Sequence, residues 1–169
     1  WFSDTPEKIA SKSWGNEIPR ICTWLRLIEK KTNKGFYVYN VHYDHRSQSS
    51  RLGSSKLIIE KISKRKQPNE PIILMGDFNA AENNSAIKIF KEEPLKLIDT
   101  FRVVKPGEEM VKTFHGFRGG SYPGGKIDHV FILPSTAKIS SASIVRFNKD
   151  KRYLSDHYPV RAKFDFTKP

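Results

Sequence analysis

The sequence predicts an α/β fold in which strands outnumber helices, and three observations predict it. The stretch PIILMG at 71–76 is continuously apolar, as a strand covered on both faces should be. FYVYNVHY at 36–43 and YPVRAKFDF at 158–166 alternate with a period of two, the pattern of half-buried strands. Between them, RLGSSKLIIEKISKRK at 51–66 places Leu52, Lys56, Ile59 and Ile62 near helical spacing.

Residues 1–19 mix Ser, Pro, Gly and charges without a sustained period and read as loop. RICTWLRLIEK at 20–30 is rich in β-branched and aromatic residues, and KTNKG separates it from FYVYNVHY, so the pair predicts a β-hairpin turning at Asn33 and Gly35. Alternation puts Phe36, Val38, Asn40 and His42 on one face and Tyr37, Tyr39, Val41 and Tyr43 on the other. The amphipathic helix that follows ends around Lys66, ahead of Pro68. After PIILMG, NNSAIKIFKEE predicts a short helix capped by Asn83 or Asn84, and Asn83 also heads a glycosylation sequon that has meaning only in a secreted protein. LKLIDTFRVV at 95–104 leads into a loop, and KIDHVFIL, SASIVRF and YPVRAKFDF predict three more strands. No internal repeat and no linker interrupts the chain, so one domain over 1–169 is expected.

Thirty Lys and Arg against 18 Asp and Glu give a formal charge of +12, a field that attracts polyanions such as nucleic acid or a phosphorylated substrate. The bland reading of the same balance is solubility. A single cysteine, Cys22, excludes an intramolecular disulfide and a thiolate metal cluster. No run approaches the ~20 apolar residues that span a bilayer. The compartment is left open between cytoplasm and secretion.

Polar residues at strand ends carry the chemistry. Asp77 and Asn79 close the buried run, Asp128 sits in an apolar strand, and Asp156 and His157 stand just before the last strand. A carboxylate in such a place needs a partner, and Asp128 with His157 makes a pair that fixes one imidazole tautomer and favours its charged form. Gly120, Gly125 and Lys126 imitate a phosphate-binding NTPase loop, but Ile127 replaces the required Ser or Thr and a strand replaces the helix, so a Gly-rich hairpin connection is the reading.

Taken together in chain order, NVHYDH at 40–45, GDFN at 76–79, IDHVF at 127–131 and SDHYPV at 155–160 resemble the endonuclease/exonuclease/phosphatase superfamily. That superfamily includes deoxyribonuclease I, abasic-site endonucleases, deadenylases, inositol polyphosphate phosphatases and neutral sphingomyelinases. The resemblance implies a two-sheet α/β sandwich of the deoxyribonuclease I-like type. It also implies a hydrolase that attacks phosphorus with activated water in the presence of Mg²⁺ or Mn²⁺. On this resemblance Asp77 orients or deprotonates the water or holds a metal, Asn79 bonds the phosphate or nucleophile, Asp156 ligates metal, and His157, held by Asp128, stabilises the transition state. His42 contacts the phosphate or assists the leaving oxygen, with Asn40 beside it, and Arg118, Lys149 and Arg152 lie in loops that shape selectivity.

The metal-binding Glu and the Asn that such proteins carry on early strands have no counterpart here. The resemblance therefore implies a carboxy-terminal part of a longer protein, incomplete at its N-terminus, whose upstream portion is its partner. A mature secreted chain starting at Trp1 is the alternative. The charge favours a nuclease or phosphodiesterase acting on nucleic acid. Inositol phosphates or phospholipids are other substrates, and a catalytically degenerate binding module is the rival from another class.

Overall fold

The turn at KTNKG closes a hairpin in which β1 (Cys22–Glu29) pairs antiparallel with β2 (Lys34–His42), Leu25 facing Val38 and Leu27 facing Phe36. Asn33 sits there at φ 55°, a left-handed conformation that asparagine tolerates. In this computed structural model, which describes residues 1–92, 94–120 and 124–167, the chain then crosses over through α1 (Gln48–Ser63) into β3 (Ile72–Asp77), parallel to β2. On its other side β3 pairs antiparallel with β5 (Asp128–Ile132), and β5 also holds the short β4 (Ile98–Asp99). One five-stranded sheet results, in the order β1-β2-β3-β5-β4, while β6 (Ala137–Ile144) and β7 (Val160–Phe166) form a separate antiparallel pair. This is the mixed, two-sheet α/β architecture expected.

Helix α1 departs from the expected pattern. It ends at Ser63 rather than near Lys66, and its buried residues are Ser50, Ser54, Ser55, Ile58 and Ile62, whereas Leu52 and Ile59 are only half-buried. The small serines let the helix lie close to its neighbours, and Ser55 Oγ donates to the Ala86 carbonyl at 2.7 Å. The Leu52 side receives the N-terminal segment instead. A Cβ on Gly53 would meet the Trp14 ring at 2.5 Å, so the N-terminal loop, irregular as expected, is packed on the helix.

Local capping explains the next elements. Asn84, of the two candidate asparagines, caps α2 (Ser85–Lys88) by accepting the Ala86 N–H. LKLIDTFRVV, which leads into a loop as expected, is itself β4 followed by α3 (Thr100–Val104), because the Asp99 carboxylate accepts the Phe101 N–H at 3.0 Å and starts a helical turn whose Phe101 is buried.

The main core lies between α1, α2 and one face of the larger sheet, with Tyr37, Tyr39, Ile72, Leu74 and Phe131 meeting Ile58, Ile62, Ile87 and Phe90. Phe78 sits at its centre, its ring in edge-to-face contact with Tyr43, Phe90 and Phe131 at 5.0–5.8 Å. Across the other face Phe36 meets Phe166 at 5.0 Å and ties the two sheets together. Along β7, Val160, Ala162, Phe164 and Phe166 are half-buried and Arg161, Lys163 and Asp165 exposed, the alternation expected. The edge strand β1 differs from the rest: Trp24 is 57% exposed, Leu25 43% and Ile28 44%, so apolar side chains stand open on both of its faces. Among the described residues no helix is long and apolar enough to cross a membrane.

Candidate active site

Strand register sets three chemical groups in a row. His42 on β2 lies opposite Asp77 on β3, and Asp77 lies opposite Asp128 on β5. All three stand where β2 and β3 end and β5 begins, so the sheet itself delivers an imidazole and two carboxylates to one edge of the fold. Gly76 makes the close approach possible: it holds φ +132°, and a Cβ there would lie 2.1 Å from the Val41 carbonyl.

The turn after β3 fixes the Asp77 carboxylate. Asn79, at φ 45°, donates its backbone N–H to Asp77 Oδ1 at 2.7 Å. Its side-chain amide donates to Asp77 Oδ2 at 3.1 Å and to the Tyr43 carbonyl at 3.0 Å. Asn79 therefore orients the carboxylate directly. Burial, with the nearby Asp128 charge adding to it, pushes Asp77 above the ordinary carboxylate range despite these bonds.

The loop before β7 brings in His157. Its Nδ1 donates to Asp128 Oδ2 at 2.8 Å, and its Nε2 points toward Asp77 Oδ2, 4.0 Å away. A backbone bridge to Phe114 holds the loop, and the half-exposed Phe114 ring stands edge-on to the imidazole at 5.1 Å. The bond to Asp128 raises the His157 pKa above the usual histidine value, against the opposing effect of burial. His42 shifts the other way. Burial lowers its pKa first and Arg20 adds to that, although Asp77 Oδ2 lies 3.5 Å from its Nε2. The two imidazoles flanking Asp77 thus differ in charge tendency, one favouring the cation and one the neutral ring.

Asp77, Asp128 and His157 each offer one ligand atom within 4.8 Å of the others, the spacing of a metal site. They line a cleft of about 270 Å³ together with Asn40, which shares their face of the sheet. A larger cleft of about 620 Å³ runs between Trp14 and α1 but holds no such group of three among the described residues. The Asp156 carboxylate is outside that group, its Oδ1 accepting a long 3.5 Å bond from Ser155, while its backbone carbonyl accepts from His115 and Gly116. Arg118 and Arg152 are exposed on nearby loops and do not line the cleft. In the Gly-rich stretch, residues 121–123 lie outside the described residues, and the part described connects the Phe114 bridge to β5 rather than two paired strands.

The family model of the Endonuclease/Exonuclease/phosphatase family matches residues 1–157. The chain belongs to this family. An uncharacterized protein of Acanthamoeba polyphaga mimivirus is 32% identical over 98% of the chain and 63% of that protein. The endonuclease/exonuclease/phosphatase from Bacteroides vulgatus superposes with a TM-score of 0.87 at 28% identity, over 99% of this chain and 63% of the other. A mannosyl-6-phosphatase of Bacteroides thetaiotaomicron gives 0.83 at 29% identity, over 98% of this chain and 64% of its own. The family member described here therefore spans just under two thirds of the length of these relatives.

Within this endonuclease/exonuclease/phosphatase domain, two arrangements escaped the sequence. Arg20 donates to His42 Nε2 at 3.1 Å and to His45 Nδ1 at 3.0 Å, a fork at the start of β1 that PRICTW carried without announcing. Lys126, whose side chain is 0% exposed, contacts Asp99 Oδ2 at 2.6 Å, His129 Nδ1 at 2.7 Å and Glu82 at 3.8 Å. No local signal marked the second: Lys126 follows Gly124 and Gly125 and precedes Ile127, Asp128 and His129, and the glycines made it resemble a phosphate ligand.

Proposed function

We propose that this family member carries the phosphate-activating half of a divalent-metal-dependent phosphoester hydrolase that acts first on nucleic acid. The observation that carries the reading is the convergence of Asp77, Asp128 and His157 within 4.8 Å. The donor set suits a hard cation. Two carboxylates face each other across β3 and β5, and burial, with the Asp128 charge adding to it, pushes Asp77 above its ordinary range. Asp77 and Asp128 would hold Mg²⁺ or Mn²⁺, which supplies charge neutralisation at the phosphoryl oxygens when bound, with Asp156, outside the group of three, a further candidate ligand on the adjoining loop.

The chain's own residues do the rest. Asp77, oriented by Asn79, takes a proton from the attacking water. His157, charged and aimed by Asp128, presents Nε2–H toward the cleft, where a nonbridging phosphate oxygen gathers charge in the transition state. Neutral His42 and Asn40 flank the substrate on the same face. The +12 charge supports a long polyanion as substrate. A phosphomonoester of a sugar is the second reading, supported by the likeness to the mannosyl-6-phosphatase over 98% of this chain. The open apolar faces of β1 support an upstream portion of the same protein as the partner that covers them and completes the site.

Full-length protein assayed on single-stranded and duplex oligonucleotides and on mannose 6-phosphate separates these readings. EDTA is expected to lower turnover at least about tenfold, and added Mg²⁺ or Mn²⁺ to restore it. Turnover that ignores the chelator removes the metal from the mechanism. Oligonucleotide binding without hydrolysis of any substrate identifies a binding module instead.

A further inference from the structure

The buried Lys126 cluster lies just beneath the Asp77 turn, and one arrangement of hydrogens satisfies it with the lysine charged and the ring neutral. The ammonium has acceptors at Asp99 Oδ2, 2.6 Å away, and His129 Nδ1, 2.7 Å away, with Glu82 Oε1 at 3.8 Å. His129 is 1% exposed, and its other nitrogen, Nε2, lies 3.0 Å from the Ala80 carbonyl. A carbonyl only accepts, so Nε2 must carry a hydrogen, and Nδ1 is then free to accept from Lys126. Every polar atom of the imidazole is satisfied with the ring neutral.

We infer that Lys126 is a positioning residue for Asp77: by donating to His129 Nδ1 it holds the ring in the tautomer that anchors the Ala80 carbonyl and the turn from Asp77 to Asn79. The inference rests on the hydrolase reading above. The anchored turn is short and linked throughout. Phe78 N–H donates to the Ile127 carbonyl at 2.9 Å, Asn79 N–H donates to Asp77 Oδ1, and Ala80 follows directly. Take away the lysine, and Asp99 Oδ2, already 3.0 Å from His129 Nδ1, becomes the natural acceptor for a hydrogen on that nitrogen. A ring that stays neutral then turns the Nε2 lone pair toward the Ala80 oxygen, two acceptors face each other, and the turn shifts; a ring that takes a second proton instead keeps the anchor and makes the lysine dispensable. A displacement of about 1 Å in a reacting group costs up to ~10²-fold in rate.

The test uses full-length protein, the two-bond ¹H–¹⁵N spectrum of the His129 ring, and steady-state kinetics on bis(p-nitrophenyl) phosphate with Mg²⁺. The wild type is expected to show hydrogen on Nε2. Lys126→Met is expected to move it to Nδ1 and to lower kcat about tenfold with KM little changed. Adding Asp99→Asn to that variant supplies a side-chain N–H toward His129 Nδ1, keeps an oxygen to cap Phe101, and removes the unpaired buried carboxylate. The double variant is expected to fold, to regain the Nε2 hydrogen and to recover most of kcat. It also serves where the single variant fails to fold. A single variant that carries hydrogen on both ring nitrogens, or one with the tautomer switched and kcat intact, overturns the inference, as does a double variant with the tautomer restored and kcat still low. A wild type without hydrolysis sinks the hydrolase reading and this inference with it, whereas an active wild type beside an unaffected Lys126→Met sinks this inference alone.

Discussion

Asp77→Asn is expected to lower turnover by about 10²–10⁴-fold, the range associated with losing a positioned proton acceptor, and at the same time to raise the melting temperature. The two effects have one origin. Asp77 is partly desolvated at the end of β3 and faces Asp128 across the ladder, so its pKa in the folded protein lies above the ordinary value of 3.8. For a carboxyl group the sign is then fixed. At pH below the ordinary value the group is protonated in both states and costs nothing. As pH rises through the folded-state value, the unfolded chain ionises more readily than the folded one, and stability is lost and stays lost at neutral pH. An amide keeps an oxygen for the Asn79 N–H, gives up the 3.1 Å bond from the Asn79 side chain, and carries no charge to desolvate. A rise of about 2–4 °C is the scale that ~1 kcal/mol produces in a domain of this size. The gain should shrink when Mg²⁺ or Mn²⁺ is added, because a cation relieves the same strain in the wild type alone. Thermal melts with and without metal, set beside initial rates, check all three. A variant that is slow because it is less stable would contradict the assignment, since it would make Asp77 an ordinary structural carboxylate.

How much of this was legible depends on what each signal measures. Period-two alternation reported the two faces of β2 correctly because burial alone sorts Tyr37, Tyr39 and Val41 from Asn40 and His42. The same logic failed on α1. Its closest contacts are made by Ser50, Ser54 and Ser55, whose smallness rather than hydrophobicity admits them to the interior, and a hydrophobic period cannot see them. LKLIDTFRVV was given no element of its own because helix initiation rested on one carboxylate, Asp99, whose capping bond is a three-dimensional fact. For the site, the pairing of Asp128 with His157 followed from the cost of an unpartnered carboxylate in a strand. The row from His42 through Asp77 to Asp128 followed from nothing local, because a parallel and an antiparallel register had to coincide at one level. Arg20 and Lys126 were missed for opposite reasons. Arg20 lies in a segment whose composition says only strand, while Lys126 sat in a motif whose glycines pointed to a different chemistry. Its full burial with Asp99 and His129 turns on which side of β5 the chain enters from.

His157→Ala is expected to lower turnover at least about 10²-fold, the loss that follows when one donor aimed at transition-state charge is removed. Asp128→Asn separates that donor's presence from its charge. In the wild type the 2.8 Å bond to Asp128 raises the His157 pKa above 6.5. An imidazole with a raised folded-state value contributes stability that is fully present below the ordinary value and is lost as pH rises through the folded one. Turnover that needs the imidazolium falls once pH passes the raised value, while the separate acid limb belongs to Asp77, which must be ionised to take the water's proton. With Asp128→Asn the leading cause of the shift is gone and the opposing burial remains, so the alkaline fall should move to lower pH. Turnover on the acid side of that fall should be reduced far less than in His157→Ala. Phe114, edge-on to the ring and bridged to it through the backbone, keeps the imidazole in place in Asp128→Asn. A pH–rate profile for wild type, His157→Ala and Asp128→Asn tests the whole chain of reasoning. If the alkaline fall stays where it was in Asp128→Asn, the carboxylate orients His157 without tuning it, and the charged imidazole is not the group that stabilises the transition state.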